Sequence, residues 1–312
     1  MRQKEENVQF LNKLNRIGPL SHAVLIFIML LLAALVLIPL ILVVIISFSS
    51  ASSIGQNGYT FFPTEWTAIA YENLLGRGLG TQIFNSYLIT IAYTVVGTIV
   101  TLIATSLYAY VLAQQDFPWK RFYTFILFFT MLFGGGLVPS YIINTRYLHL
   151  YDTFWIFILP GMVGGYNCII LRTFIQSTIP YELFDSAKID GANHLTIYAR
   201  IVMPLFKAGL ATVGLFSVVG KWNDWFTGML YIENPRLIPL QTMLTKIQNN
   251  LEFIKQNSEM QASPQGQQIL KDLPGESTRM AILIISTIPI LFAYPFFQRY
   301  FVKGITIGSI KG

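Results

Sequence analysis

Pro180-Tyr-Glu-Leu-Phe-Asp-Ser-Ala-Lys-Ile-Asp-Gly-Ala-Asn-His194, continuing to Ile201-Val-Met-Pro204, is a polar connection between two long apolar runs. Within it, Gly191 supplies the backbone freedom that ends a helix, and Asn193 is a residue type that caps the next one. Pro204 limits that second helix before the following apolar run. The local chemistry therefore predicts a helix, a turn and a second short helix.

The start of the first helix carries signals of its own. Ser177 or Thr178 is suited to cap it, and Pro180 suits its first turn, where a missing N–H leaves no acceptor unpaired. Glu182 and Asp185 then place negative charge near the positive end of the helix dipole. We expect a short helix that lies along a membrane face.

The composition is that of a membrane protein. Hydrophobic residues make up 54% of the 312 residues and charged residues only 12%, whereas about 25% of a soluble domain is charged. The net charge of +6 fits the positive-inside bias of membrane proteins better than nucleic-acid binding, because the aromatic residues lie inside apolar runs. The single cysteine, Cys168, excludes an intrachain disulfide.

Six apolar runs are long enough to cross a bilayer, which needs about 20 helical residues. The uncharged stretch 23–47 exceeds the ~7–15 residues of a signal-peptide core, so we expect it to be retained. A spanning segment must satisfy its own backbone hydrogen bonds, which predicts an all-α membrane protein. The predicted spans are 22–48, 85–112, 122–143, 153–174, 205–229 and 279–298.

Lysine and arginine are distributed unevenly over the connections between these runs. Thirteen lie in the two terminal segments, the 113–121 turn and the 172–207 region, and two lie in the short connections of the opposite side. Because cytoplasmic loops carry the excess of basic residues, the N- and C-termini are predicted to be cytoplasmic.

Two larger segments are predicted to face outward. Residues 49–84 are rich in Ser, Gly and aromatic residues, and residues 230–278 contain a predicted polar helix near 240–257 and a predicted flexible tip at 261–268. Segments of this size either contact a partner or cover a cavity, or are insertions without a role.

The spacing Asp185-Ser-Ala187, three residues, Gly191, nine residues, Ile201-Val-Met-Pro204 resembles the "EAA, x3, G, x9, I-x-L-P" loop of binding-protein-dependent ABC importer permeases. The flanking Ile179-Pro-Tyr-Glu-Leu183 and Ile189-Asp-Gly-Ala192 resemble the carbohydrate-uptake branch of that family. The C-terminal Gln298–Gly312 resembles the end of the second permease subunit in those sugar systems. The long outward loop is similar to that of the subgroup for complex or uronic-acid-containing oligosaccharides.

This resemblance covers about residues 81–312. Residues 1–80 hold the N-terminus, the first span and its outward loop. The loop departs from the family pattern at three positions, where Asp185 replaces Glu, Ser186 replaces Ala and Met203 replaces Leu. These replacements keep charge, size and apolarity respectively, so the resemblance still implies a coupling role.

The resemblance implies a MetI-like fold of six transmembrane helices in a bacterial inner membrane. It also implies that the 178–204 segment is a coupling loop that docks on an ATPase. The partners implied are a second permease in a heterodimer, an ATPase dimer, an extracytoplasmic solute-binding protein and an oligosaccharide. The coupling residues implied are Glu182, Asp185, Ser186, Ala187, Gly191, Ile201 and Pro204.

The chain has no G-x-x-x-x-G-K-[ST] phosphate loop. We therefore expect that it is not an enzyme, that it holds no cofactor, and that ATP and Mg are bound by the partner ATPase. The histidines His22, His149 and His194 are too far apart for a metal-binding spacing, so no metal site is expected.

Aromatic and polar residues in spans four and five are candidates for a sugar path, because sugars bind aromatic faces and hydrogen-bonding groups. The same aromatic residues are equally suited to anchor a helix at the membrane surface. The candidates are Tyr166, Asn167, Trp222, Asn223, Asp224 and Trp225, with Lys221 beside them.

Two rival functions are less favoured. An ion-coupled carrier usually has carboxylates within its spans, and here Asp224 alone is a candidate. A membrane glycosyl transferase needs an acidic or histidine cluster at a membrane face, and the cluster of Glu182, Asp185 and Asp190 is already explained by the coupling pattern. Dependence of transport on ATP or on an ion gradient separates the importer from the carrier.

Overall fold

A computed structural model describes residues 18–76, 79–267 and 275–308. Within these ranges the regular structure is helical, with no β-strand beyond an isolated bridge between Ser49 and Trp66. The predicted all-α class is confirmed. The basic residues of segment 1–17, Arg77 and residues 309–312, which were used to predict orientation or family, lie outside the described ranges.

The chain divides into two compact units, one within Met1–Glu72 and Leu273–Ile284 and the other within Asn73–Asp272 and Ile285–Gly312. In the first unit, helix α1 (Pro19–Ser47) is apolar, and nearly all its side chains are exposed. An apolar helix without a covered face is suited to contact lipid.

The remaining helices include one long helix in the second unit, α4, and several short ones that position the candidate site. Two stretches of π-helix (Ile143–Tyr147 and Tyr198–Val202) and two 3₁₀ turns (Phe154–Phe157 and Pro235–Leu237) interrupt them. In chain order the helices are α2 (Ala51–Asn57), α3 (Ile69–Leu75), α4 (Leu79–Ala113), α5 (Lys120–Leu132), α6 (Leu137–Ile142), α7 (Gly165–Thr178), α8 (Glu182–Ile189), α9 (His194–Ile197), α10 (Met203–Leu205), α11 (Lys207–Trp222), α12 (Phe226–Tyr231), α13 (Leu240–Gln256), α14 (Ser258–Ala262) and α15 (Gly275–Gly308).

Small polar residues line one face of the 35-residue helix α4. They recur every three or four positions, which places them on one side of a helix, and all are buried. Small side chains let neighbouring membrane helices approach closely, and α4 packs against α7 and α11. The buried set is Ser86, Thr90, Thr94, Thr98, Thr101 and Thr105.

Three of the described helices are long and apolar enough to cross a membrane: Leu20–Ser47, Leu79–Ala113 and Gly275–Phe292. Two bent pairs, Lys120–Leu132 with Leu137–Tyr147 and His194–Leu205 with Lys207–Trp222, raise the number to five if each pair is one broken span. The predicted spans 22–48, 85–112 and 279–298 therefore correspond to single helices.

The other three predicted spans are not continuous helices. Span 122–143 breaks at Gly134-Gly-Gly136, and its two helices meet at 115°, because successive glycines remove the side-chain restraints on the backbone. Span 153–174 is a 3₁₀ turn followed, after Pro160 and Gly161, by the 14-residue helix α7. Span 205–229 ends at Trp222 and resumes at Phe226.

The predicted polar helix in the 230–278 loop is confirmed as α13. Its apolar residues, including Leu240 and Met243, are buried, and α13 packs along α4. The Leu240 amide donates to the Thr90 hydroxyl at 2.9 Å. The stretch predicted as a flexible tip begins inside α14, and Gln268 lies outside the described residues.

Substitution of Gly228 tests how tightly α12 and α13 are packed. A Cβ at Gly228 would lie 2.8 Å from Pro239 Cδ and 3.0 Å from Thr242 Cβ, and Thr242 is held in place because its hydroxyl donates to the Trp225 carbonyl at 2.9 Å. We expect Gly228→Ala to destabilise the protein by about 1–3 kcal/mol, as overpacking does. Thermal unfolding in detergent measures the effect.

The matched control is Gly220→Ala in α11, where nothing lies within 4 Å of the added Cβ. Alanine favours a helix interior by up to about 1 kcal/mol, so this variant should unfold at or above the parent temperature. Equal unfolding temperatures for the two variants would contradict the packing described here.

Candidate functional site

Helix α8, the centre of the 178–204 segment, has one buried face. Phe184 and Ala187 are 4% and 8% exposed and belong to an apolar cluster with Tyr110 of α4, Ile175 of α7 and Val213 of α11. The helix is therefore fixed to the end of α4 by apolar packing. Ala187, expected to contact a partner, packs inward, because residues three apart on a helix share a face with Phe184.

The opposite face of α8 is open. Leu183 and Ile189 are 40% and 86% exposed, and Ser186 lies exposed between them. An apolar side chain that is 86% exposed on a short helix is suited to fit a pocket of another protein. Sequence reasoning missed Ile189, although the three-residue spacing from Ser186 already placed both on this face.

The acidic residues implied in coupling lie at the beginning of the helix. Glu182 and Asp185 are exposed in the first turn of α8, and Tyr181 occupies the cap position without a side-chain cap bond. The predicted capping by Ser177 or Thr178 is wrong, because α7 continues through Thr178. The helix thus starts two residues after Pro180.

The turn after α8 forms as the sequence predicts. Gly191 has φ +76°, a conformation that side-chain-bearing residues rarely adopt, and the Ala192 amide donates to the Ala187 carbonyl at 2.9 Å. Asn193 caps α9 by accepting from the Thr196 amide at 2.8 Å. Both predicted roles, the helix stop and the cap, are confirmed.

The last two coupling candidates lie at the end of the segment. Ile201 is half-buried against the apolar cluster, and Pro204 is exposed within α10. The helices on either side, His194–Leu205 and Lys207–Trp222, meet at 82°. The segment therefore turns sharply into α11 at this point.

A polar contact joins α8 to the loop after α4. Lys188 Nζ lies 2.8 Å from Asp116 Oδ2, and the Tyr181 hydroxyl donates to the same oxygen at 2.9 Å. Lys188 Nζ also lies 5.6 Å from the centre of the Tyr181 ring. Asp116, Tyr181 and Lys188 are called the latch below.

The charges of the latch support one another. The hydrogen bond from Lys188, and then that from Tyr181, hold the pKa of Asp116 below its usual value, and the bond to Asp116 raises the pKa of Lys188. The Asp116 side chain is 72% exposed, so the pair is screened by solvent and acts on position more than on stability. Sequence reasoning missed Asp116, since no local pattern links it to α8.

Two further hydrogen bonds connect this segment to α4. The Tyr110 hydroxyl lies 3.2 Å from His194 Nδ1, and the Ser106 and Tyr198 hydroxyls lie 2.6 Å apart. Both ends of the segment are thus attached to the same helix end. The segment is therefore joined to this end of α4 by hydrogen bonds as well as by packing.

The residues predicted for a sugar path are not brought together. Trp222 is 4% exposed and its indole donates to the Ser286 carbonyl at 2.9 Å, so its polar atom is used within the fold. Tyr166 and Trp225 are 62% and 45% exposed. Asn223 donates to the Val219 carbonyl of its own helix at 2.9 Å.

Of these six candidates, Asp224 lines a cavity of about 360 Å³. Tyr166 and Asn167 lie outside its lining. Its other polar lining residues were not predicted as a set, because they come from separate parts of the chain. They are Asn144, Lys221, Thr227 and Tyr231.

Comparison with known proteins gives concordant matches. The profile of the family described as "Binding-protein-dependent transport system inner membrane component" matches residues 117–307. The "Polygalacturonan/rhamnogalacturonan transport system permease protein YtcP" of Bacillus subtilis is 35% identical over 85% of this chain and 89% of its own length. "Protein LplC" of the same organism is 36% identical over 85% and 86%.

A solved structure has the same fold. It is described as a bacterial ABC transporter involved in the import of the acidic polysaccharide alginate. One of its chains superposes with a TM-score of 0.75 at 29% identity, covering 92% of this chain and 99% of that one. The predicted MetI-like fold is thereby confirmed.

Charge reversal tests the latch. Asp116→Lys and Lys188→Asp each replace an attraction by a repulsion, so α8 should separate from the 114–119 loop, and the double variant should restore the contact. Spin labels at Trp119→Cys and Ile189→Cys, both on exposed side chains, report the distance. We expect a broader distance distribution in each single variant and a narrow one in the double variant.

The unfolding temperature should hardly change in these variants, because exposed ion pairs contribute little to stability. The buried Cys168, the single native cysteine, should not take up label. Identical distance distributions in all four proteins would mean that the latch does not position α8.

Proposed function

Because the chain belongs to the family of binding-protein-dependent transport system inner membrane components, we propose that it imports an oligosaccharide and that α8 is its coupling helix. Members of this family are permease subunits and not enzymes, and a partner ATPase hydrolyses ATP. They work with a second permease, an ATPase and a solute-binding protein.

The observation that carries the proposal is the division of α8 into two faces. Phe184 and Ala187 fix the helix to the apolar cluster, while Leu183, Ser186 and Ile189 are left open. A small residue between two apolar ones lets a helix sit deeply in a groove. The open face is therefore the surface that an ATPase would grip.

The proposed topology has six spans, cytoplasmic termini and a bacterial inner membrane as its location. Three single helices and two bent pairs support five spans. The sixth is α7 together with the irregular backbone of 154–164, since non-helical backbone is tolerated at membrane depth where protein covers it. The excess of Lys and Arg on one side supports the orientation.

The proposed mechanism follows from how α8 is attached. ATP and Mg, bound by the partner, favour the closed ATPase pair, and the coupling helices of both permeases move with it. Because α8 is joined to α4 by packing and by the latch, this movement changes the angle of α4. The permease then exchanges between inward-facing and outward-facing states, shifted by the preference of ATP for the closed pair.

The proposed cargo is an oligosaccharide delivered by a solute-binding protein. The relatives named for polygalacturonan/rhamnogalacturonan and for alginate transport support this class. Tyr166, Asn167, Trp222, Asn223, Asp224 and Trp225 stay predictions as path residues, and among them Asp224 has the best support because it lines the cavity.

Bulk on the open face of α8 should uncouple transport. In Ser186→Trp the indole would fill the space that the ATPase groove needs, so ATP-driven uptake should fall by about tenfold or more, as expected when a central interface contact is lost. Uptake of labelled oligosaccharide into cells, normalised to the amount of protein in the membrane, measures the effect.

Ser177→Trp is the matched control. Ser177 is also exposed, and each hydroxyl bonds the carbonyl three residues before it, Phe174 for Ser177 and Leu183 for Ser186. This control should keep uptake near the parent rate. Unchanged uptake in Ser186→Trp, or an equal loss in both variants, would count against α8 as the coupling helix.

A further inference from the structure

The charged side chain of Lys221 packs against the middle of helix α4. It lies in the last turn of α11 and reaches across α4 at Gly97, a buried residue near the midpoint of that 35-residue helix. A Cβ at Gly97 would lie 2.7 Å from Lys221 Cε. The missing side chain of Gly97 therefore makes room for the lysine stem.

The lysine is held at both ends. Its backbone carbonyl accepts from the Tyr93 hydroxyl at 2.8 Å, and its ammonium donates to the Phe157 carbonyl at 3.0 Å. Tyr93 stacks on Phe157 with ring centres 4.5 Å apart. These contacts fix the position of the ammonium group.

The ammonium forms no close ion pair in the described part of the chain, although Asp224 lies near enough to attract it. Among residues 18–76, 79–267 and 275–308, no carboxylate lies within 4.0 Å of Lys221 Nζ. An ammonium has three N–H donors, and the Phe157 carbonyl takes one. A charge at membrane depth that is not closely paired is costly, and such residues usually serve a pathway.

The remaining donors have a cavity beside them. Lys221 lines the cavity of about 360 Å³ together with Phe157, Asn144, Thr227 and Tyr231, a volume within the ~300–1,000 Å³ of small-molecule sites. Asn144 Nδ2 lies 3.2 Å from the Tyr231 hydroxyl. Polar groups from α11, α12 and the π-helical stretch Ile143–Tyr147 thus meet an aromatic wall, a combination suited to a sugar ring.

Asp224 is the acidic residue in this lining. Its Oδ1 accepts from the Thr227 amide in the first turn of α12 at 3.0 Å, although Trp225 is the cap residue of that helix. This bond directs one carboxylate oxygen toward the helix end, so Asp224 attracts Lys221 without a close ion pair, and the ammonium can still donate to a ligand.

We propose that this cavity is a subsite for an acidic sugar, in which Lys221 binds the carboxylate of a hexuronate residue during passage. The inference rests on the proposed import function and adds the charge class of the cargo to it. A neutral sugar cannot supply a close ionic partner, whereas a carboxylate accepts a charge-assisted hydrogen bond from the ammonium and balances its charge. The aromatic and hydroxyl groups of the cavity then contact the ring.

The test compares uptake of trigalacturonate with uptake of its methyl ester, which has the same ring skeleton without charge, and with the neutral maltotriose. The complete transporter is used in cells, with parent chain, Lys221→Met or Lys221→Arg. The binding protein is the same in every strain. Dividing the uptake of each sugar by the variant by its uptake by the parent therefore cancels the preference of the binding protein among the sugars. Variants are compared at equal amounts in the membrane.

We expect Lys221→Met to lower trigalacturonate uptake by about 10–100-fold, as loss of a charge-assisted hydrogen bond does, and to lower ester uptake far less. Lys221→Arg keeps the charge and should keep most of the acidic uptake. Equal losses for acid and ester, or no loss in Lys221→Met, would overturn the subsite. A parent transporter that imports the neutral sugars and not trigalacturonate would also overturn the subsite. The proposed import function would still hold in that case.

A second variant guards against a merely structural effect. Gly97→Ala keeps the lysine but displaces its side chain, so uptake of trigalacturonate should fall more than uptake of its ester here as well. An equal fall for both sugars would argue against the subsite.

If the parent imports none of the three sugars while its ATPase partner is active, the proposed cargo class fails. That outcome is distinct from the uptake ratios that test Lys221.

Discussion

The packing of Phe184 and Ala187 against the C-terminal end of α4 is the contact on which the functional account depends. A short helix of eight residues is not stable on its own, so its position is set by what it is buried against. Because these two side chains are buried and the face opposite them is open, α8 is both attached and accessible. A helix that transmits a displacement needs both properties, since a loosely attached helix would move without moving α4.

Helix α4 connects the parts of the second unit. At one end, Tyr110 and Ser106 contact the 178–204 segment; near its middle, Gly97 holds the Lys221 stem; and toward its start, Thr90 holds the beginning of α13. The small residues on its buried face make these close approaches possible. A change in the angle of α4 would therefore reach the cavity and α13 together.

Much of this arrangement was predictable from the sequence. Apolar runs predicted the long helices, and Gly191 and Asn193 predicted the turn after α8, because glycine conformation and asparagine capping act over a few residues. The break at Gly134–Gly136 was missed, since hydropathy detects apolar length and not continuity. The inward face of Ala187 and the contact of Asp116 with Lys188 depend on tertiary packing. The cavity joins residues from 137 to 231, so no local pattern reveals it.

The central claim is that the open face of α8 is gripped from the cell interior, and cysteine labelling at position 189 tests it most directly. Ile189→Cys puts a thiol on the most exposed part of that face, while the native Cys168 is buried. A membrane-impermeant maleimide should label this variant in inside-out vesicles stripped of the ATPase and not in intact cells. Rebinding of the ATPase should then protect the thiol. Labelling in intact cells, or equal labelling with and without bound ATPase, would contradict the account.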